Sequence, residues 1–397
     1  MKKLSDITLI VAVILILSCH QNSSNNLNAS SSSNPGPAQL KKAAANKEAS
    51  AVKISYDNIA KFISGLPCLS PSLKELQNTD AWKTYTYFID SNWTDLETNR
   101  FEPIKTWADT ELVEANKKTK ILFYPFGGPD FLTACQFFPN ADTYILLGLE
   151  HVGNLPEVEK WKPRYMESYL EDIRISLFDF FKRSYFITRD MSLSLQSDKL
   201  DGVLPLVCFF LERGGNNIMD IKRIEFDEKG NTLEVPYSTL MERTNKPYGI
   251  GINYFSNALR RSETVYYYSC DLSDQSFYKD SKFYLYLDKK EAMTVFIKSA
   301  SYLLHYENFS NIRNMILTKS QFILQDDTGI PFRYFKEKNW EIQLYGQYAK
   351  PIKDFSGVEQ QDLKAAYQDK NKIKRLPFHL GYHYGSNLDA WMFIKRK

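Results

Sequence analysis

The sequence predicts a single large mixed α/β domain around a central, partly parallel sheet. Two apolar runs, Ile121 to Pro125 and Thr143 to Leu149, lack the polar alternation of a half-exposed strand, as strands covered on both faces do. A glycine turn and a short amphipathic segment join them, and strand, short helix, strand is the connection that a parallel pair needs. Elsewhere helix-like and strand-like segments mingle along the chain, and no internal repeat is visible.

The elements follow in chain order. Lys2 and Lys3 precede an apolar run from Ile7 to Leu17 and then Ser18-Cys19. That run is too short to span a bilayer as a mature helix and suits a secretory leader. A cysteine directly after a small residue at its end resembles a bacterial lipoprotein signal. The resemblance implies cleavage after residue 18 and lipidation of Cys19. Residues 19–52, with "QNSSNNLNASSSSNPGPAQ", have almost nothing to bury and read as a flexible tether. His20 stands where an Asp often signals inner-membrane retention, so the resemblance favours the outer membrane of a Gram-negative cell. Residues 53–397 then form the globular body, long enough for one large domain or two medium ones.

Within the body, Tyr56 to Leu76 carries helical spacing, with Pro67 as a stop. Asp80 to Ala108 places Trp82, Trp93 and Trp107 among polar residues and reads as helix and loop. Gly127-Gly128 turns the chain after the first strand, Pro129-Asp130 opens a helix, and Asn140-Ala141-Asp142 closes it. Trp161 to Tyr185 is an amphipathic helix, with Tyr169, Ile173, Leu177 and Phe181 four apart. Val203 to Leu211 is helix or strand, since its period does not decide. Ile221 to Phe226, the turn "DEKGN" and Thr232 to Val235 predict a β-hairpin. Ile250 to Tyr254 and Thr264 to Ser269 predict two further strands, and Phe283 to Leu287 a helix end or a strand. Asn311 to Leu317 predicts a helix, Gln321 to Gln325 a strand, and Asp327-Thr328-Gly329 a turn. The remainder reads as loop-rich, with a polar helix near Gln360 to Lys370.

Composition bounds the function. A formal charge of +3, with acids and bases interspersed, gives no basic stripe, so no nucleic-acid partner is expected. The expected partners are a membrane, through the lipid anchor, and an envelope ligand or protein. Cys135 and Cys208 sit in the apolar runs "LTACQFF" and "LVCFFL", where a thiol packs as a small hydrophobe, and no CxxC occurs. With Cys68 and Cys270 they predict no disulfide framework. The stretches "YPFGGPDF", "FFPNADTYILLGLE", "KSASYLLH" and "ILQDDTGIPFRYF" resemble those of uncharacterised bacterial lipoproteins. That resemblance implies an envelope location and carries over no catalytic residue.

Candidate chemistry gathers at the ends of apolar runs. Gly127-Gly128, with Glu150 near the ribose-binding interval, has the outline of a dinucleotide loop. The G-x-G-x-x-G fingerprint is absent and Pro129 removes an amide donor, so the glycines are read as shaping a turn that presents Asp130. Asp326 and Asp327 follow another apolar run and suit either acid-base work or a divalent cation, with Arg333 close in sequence. His151 and His305 each end an apolar segment and are candidate bases or ligands. His379 and His383 in "FHLGYHYG" are four apart, but Gly381 and Gly385 argue against one helix carrying both. The H-E-x-x-H and G-x-S-x-G motifs are absent. "SFYK" fits S-x-x-K without its K-T-G companion. The sequence therefore predicts an exported, lipid-anchored envelope protein with a binding or structural role. The alternative is an envelope hydrolase or transferase using Asp130, Glu150, His151, His305, Asp326, Asp327 and Arg333.

Overall fold

The computed structural model describes residues 55–186, 200–237, 248–385 and 388–397. The leader, Cys19 and the tether lie outside the described residues.

Eleven strands form one sheet: β1 (Ile121–Tyr124), β2 (Thr143–Gly148), β3 (Asn216–Phe226), β4 (Thr232–Pro236), β5 (Tyr248–Ser256), β6 (Arg261–Ser269), β7 (Met293–Ile297), β8 (Ser320–Asp326), β9 (Trp340–Gly346), β10 (Ile373–Lys374) and β11 (Ala390–Arg396). Their order is β10-β9-β11-β8-β7-β1-β2-β6-β5-β3-β4. The central strands β8, β7, β1, β2 and β6 are all parallel. β11 enters antiparallel between β8 and β9, and the β3–β4 hairpin joins the other flank through antiparallel β5.

Helices cover both faces. One carries α1 (Tyr56–Ile63), α2 (Pro71–Gln77), α3 (Asp80–Leu96), α4 (Glu102–Glu111), α5 (Val113–Lys118), α6 (Phe131–Phe137), α7 (Pro163–Arg183) and α8 (Leu204–Arg213). The other carries α9 (Lys282–Asp288), α10 (Ser310–Lys319) and α11 (Gln361–Ala366). Side chains alternate across a strand, so β1 sends Leu122 and Tyr124 into the first core and Phe123 into the second. Both cores need an apolar residue at every step, hence the unbroken runs in β1 and β2.

The connections fix where the sheet opens. β1 passes to β2 through α6 on the first face, and β7 passes to β8 through α10 on the second. Parallel crossovers are right-handed, so crossovers on opposite faces must progress in opposite directions. They part at the seam between the neighbours β7 and β1. Such a switch point leaves a crevice at the carboxyl ends of the strands, where α/β proteins hold their ligands.

Several segments differ from the sequence expectation. The stretch from Tyr56 to Leu76 is two helices: it breaks after Ile63, Gly65 takes φ 67°, and α2 restarts at Pro71. The stretch from Asp80 to Ala108, expected as helix and loop, is helical throughout, because α3 runs through a π turn at Glu97–Phe101 into α4. All three of its tryptophans are buried. The π turn also buries Arg100, whose guanidinium donates to the carbonyls of Phe180 (2.8 Å) and Phe181 (3.0 Å) near the end of α7. A cation there satisfies carbonyls that a helix terminus leaves open. Val203 to Leu211 is the helix α8, buried from Leu204 to Glu212, so no polar face marked its period. Phe283 to Leu287 is the helix α9, capped by Ser281. The C-terminal region read as loop-rich contributes β9, β10 and β11.

One glycine contact ties β2 to α8. A Cβ on Gly153, at φ 72°, would sit 1.7 Å from the Asp201 carbonyl oxygen. Gly215 takes a similar φ of 77° with open space around it. Gly215→Ala should therefore cost only the left-handed backbone penalty of about 1–2 kcal/mol. Gly153→Ala must also push two backbones apart, and its thermal midpoint should fall well below that of Gly215→Ala. Equal melting temperatures for the two variants would contradict this packing.

Candidate functional site

The loop leaving β1 reaches the seam first. Gly127 lies under the Tyr124 ring, where a Cβ would come within 2.6 Å of Cδ1. Gly128 donates its amide to the Leu147 carbonyl (2.8 Å), Asp130 to Gly127 (3.2 Å) and Phe131 to Pro129 (2.7 Å). Asp130 caps α6, its Oδ1 accepting from the Thr133 amide at 3.1 Å. These amides are spent inside the protein, and Pro129 has none. A phosphate cradle needs amides aimed outward, so the double glycine is a packing turn that aims Asp130 at the seam.

Lys298, the residue after β7, meets it there. Its Nζ donates to Asp130 Oδ2 at 2.7 Å and to the Ser184 carbonyl at 2.5 Å, and Tyr124 adds a longer hydroxyl contact to the same carboxylate (3.3 Å). Both side chains of the pair are 2% exposed. Burial pushes the ammonium pKa down, while the charge of Asp130 holds it up. Asp326 acts on Lys298 in the same sense.

Beyond Lys298 the chain turns through three left-handed non-glycine residues: Ser299 (φ 52°), Ser301 (φ 50°) and Tyr302 (φ 54°). Each such conformation costs on the order of 1 kcal/mol or more and persists only where its surroundings hold it. Asp326 and Thr328 supply the hold. Asp326 Oδ2 accepts the Ser299 amide (2.8 Å), and Thr328 Oγ1 accepts the Ala300 amide (2.8 Å). Thr328 in turn donates its own amide (3.0 Å) and its hydroxyl to Asp326 Oδ1. Tyr302 donates its hydroxyl to Asp327 Oδ2 at 2.5 Å, and His383 Nε2 stands 3.9 Å from that oxygen. Burial raises both carboxyl pKa values, and the Asp326 charge drives Asp327 further up.

The segment at Gly381 closes over this network. Gly381 takes φ 79°, donates its amide to Ser184 Oγ (2.8 Å), and would place a Cβ 2.8 Å from Ser299 Oγ and 3.1 Å from Asp326 Oδ2. Any side chain there would intrude on the network.

The predicted residues thus divide. Asp130, Asp326 and Asp327 join one buried network around Lys298. His305 borders it: burial lowers its pKa to about 4, Arg333 pushes the same way, and the carbonyls of Asp327 and Gly329 oppose them. Arg333 itself is exposed, with its guanidinium over the Tyr334 ring at 5.0 Å. Glu150 folds over Gly148, at the β2 end, where Tyr267 donates to its carbonyl at 2.8 Å and burial raises its carboxyl pKa. His151 pairs with Asp201 at 2.6 Å in a separate cluster. Among the described residues, no group of three or more His, Cys, Asp or Glu side chains could hold a metal ion. Cys68, Cys135, Cys208 and Cys270 are free thiols. Sequence reasoning missed Lys298, Tyr302 and Thr328. The available signal was a lysine directly after the apolar run "MTVFI".

Two outcomes follow. Lys298→Met or Asp130→Asn alone should cost about 3–5 kcal/mol in urea unfolding, because each strands a buried partner. The double variant should lose clearly less than the sum; simple additivity would show that the pair is not coupled. For Asp327, a native pKa above the ordinary carboxylate value means that stability is lost as pH rises through it. Asp327→Asn removes that titration. The melting temperature of the variant relative to wild type should therefore be higher at about pH 9 than at about pH 5. Asp326, Asp389, Tyr302 and His383 face position 327 in both proteins, so an unchanged difference would remove Asp327 as the cause.

Compared with models of protein families, with curated proteins and with solved structures, the chain returns no match.

Proposed function

We propose that the chain is a lipid-anchored cell-envelope protein whose α/β body has a binding or structural role. The leader and the polar tether support the anchor, through Cys19, and an outer-membrane location if the cell is Gram-negative. No helix among the described residues is long and apolar enough to cross a membrane. One observation carries the role of the body: the acids at the seam spend their hydrogen-bonding capacity on Lys298, on the Tyr302 and Thr328 hydroxyls and on backbone amides, in a buried interior. A hydrolytic centre must instead bring its acid and base within reach of a substrate.

A second reading, an envelope hydrolase or transferase, draws on the strained Ser299–Tyr302 turn and on carboxyls whose pKa values burial raises, features that cluster at active sites. Two measurements separate the readings. Metabolic labelling with an alkyne analogue of palmitate should mark wild type and not Cys19→Ala; equal labelling of both would sink the anchor. Purified protein should show no turnover of nitrophenyl esters or phosphates that depends on Asp326. Turnover that disappears in a well-folded Asp326→Asn variant would replace the binding role with the enzymatic one.

A further inference from the structure

One open cleft lies beside the sealed network. It has a volume of about 320 Å³ and is lined by Gly346 at the end of β9 and Gln347 after it, by Arg375, Leu376, Phe378 and His379, and by Asp389 before β11. That size falls at the small end of ligand sites. Its floor is rigid: Phe378 is buried and packs edge-on against Trp107 (5.5 Å) and Trp391 (6.0 Å). Gly346, at φ 79°, brings the backbone so close to Asp389 that a Cβ would sit 2.1 Å from its carbonyl oxygen.

Asp389 is the built part of the site. Its side chain is 3% exposed, whereas that of His379 is 48% exposed. Its Oδ1 accepts the Leu380 amide (3.1 Å), its carbonyl accepts the Gln347 amide (2.8 Å), and its Oδ2 meets His379 Nδ1 at 2.5 Å. A buried carboxylate on Nδ1 fixes the imidazole and leaves Nε2 directed away from it. Arg375 supplies the second charge. Arg100, Arg213, Arg313 and Arg396 are spent on carbonyls or carboxylates. Arg375 is exposed and makes no hydrogen bond or ion pair among the described residues. An unpaired guanidinium is a fork for a carboxylate or a phosphate.

We propose that this cleft binds a small organic oxyanion, a carboxylate or a phosphate monoester, through Arg375 and His379 Nε2, with its carbon frame on Leu376 and Phe378. The inference rests on the binding role proposed above and gives it a ligand class. It does not depend on the anchor.

The test uses the full chain in detergent, labelled with ¹⁵N-histidine. The chain has 5 histidines, few enough to assign by substitution. Inorganic phosphate and succinate are the probes. Either should produce a saturable shift of one imidazole resonance, absent in His379→Gln and at least tenfold weaker in Arg375→Gln. Arg375 is exposed and has no partner among the described residues, so its variant should melt like wild type. The stronger probe names the headgroup as phosphate or carboxylate, and similar shifts with both assign a general oxyanion site. No saturable shift with either probe would overturn the proposal. So would the same shift with chloride at equal ionic strength, or one indifferent to Arg375→Gln. Palmitate labelling is unaffected by any of these outcomes, so failure here leaves the anchor reading separately judged.

Discussion

The architecture depends on a buried ammonium. Lys298 sits where the parallel sheet divides, and taking a charge of that size out of water costs several kcal/mol unless partners replace the solvent. The partners come from distant parts of the chain: Asp130 from the β1 loop and the Ser184 carbonyl from the end of α7. Asp130 could not reach the seam without the double-glycine turn. Ser184 could not present its carbonyl without the left-handed cap at φ 68° that ends α7. Arg100 then secures the last turn of that helix from the π turn after α3. One interior charge therefore sets the geometry of two loops, a helix end and a helix irregularity.

A second layer rests on the first. The left-handed turn after Lys298 is held by Asp326 and Thr328 from the neighbouring strand end, and Gly381 closes against both. Polar groups so enclosed seek one another, which explains why the amides of Ser299, Ala300 and Thr328 and the hydroxyls of Tyr302 and Thr328 interlock with Asp326 and Asp327. The same economy separates position from access. Groups at the seam are fixed and hidden, while the groups left accessible, His379 and Arg375, stand farther along the sheet beside β9 and β11.

Much of this was legible in the sequence where burial is two-sided. The runs ILFY and TYILLG stand out because both cores demand apolar residues, and their parallel pairing followed from the short helix between them. β9 and β11 were not legible. "WEIQLYG" alternates weakly, and "AWMFIKR" becomes a strand only because β8 and β9 leave a slot for it. α8 was ambiguous for the opposite reason, since a helix buried all round has no polar stripe. At the site, Asp130, Asp326 and Asp327 could be picked out as acids that end apolar runs. Their shared partner could not, because pairing Lys298 with Asp130 requires the β1–β7 register. Glu150 looked like a ribose ligand by spacing alone, and its carboxylate instead folds back over Gly148.

The place of β11 has a consequence for how the chain folds. It is the most C-terminal of the eleven strands, yet it lies between β8 and β9 rather than at an edge. Until it is in place, β8 and β9 each present an unpaired edge, the kind of surface that invites wrong partners. Asp389 and Gly381 belong to the same late segment. Early collapse can assemble the five parallel strands, but the interior charges are enclosed only when this segment docks. Docking of β11, more than local propensity, thus sets the earliest moment at which the sheet becomes continuous.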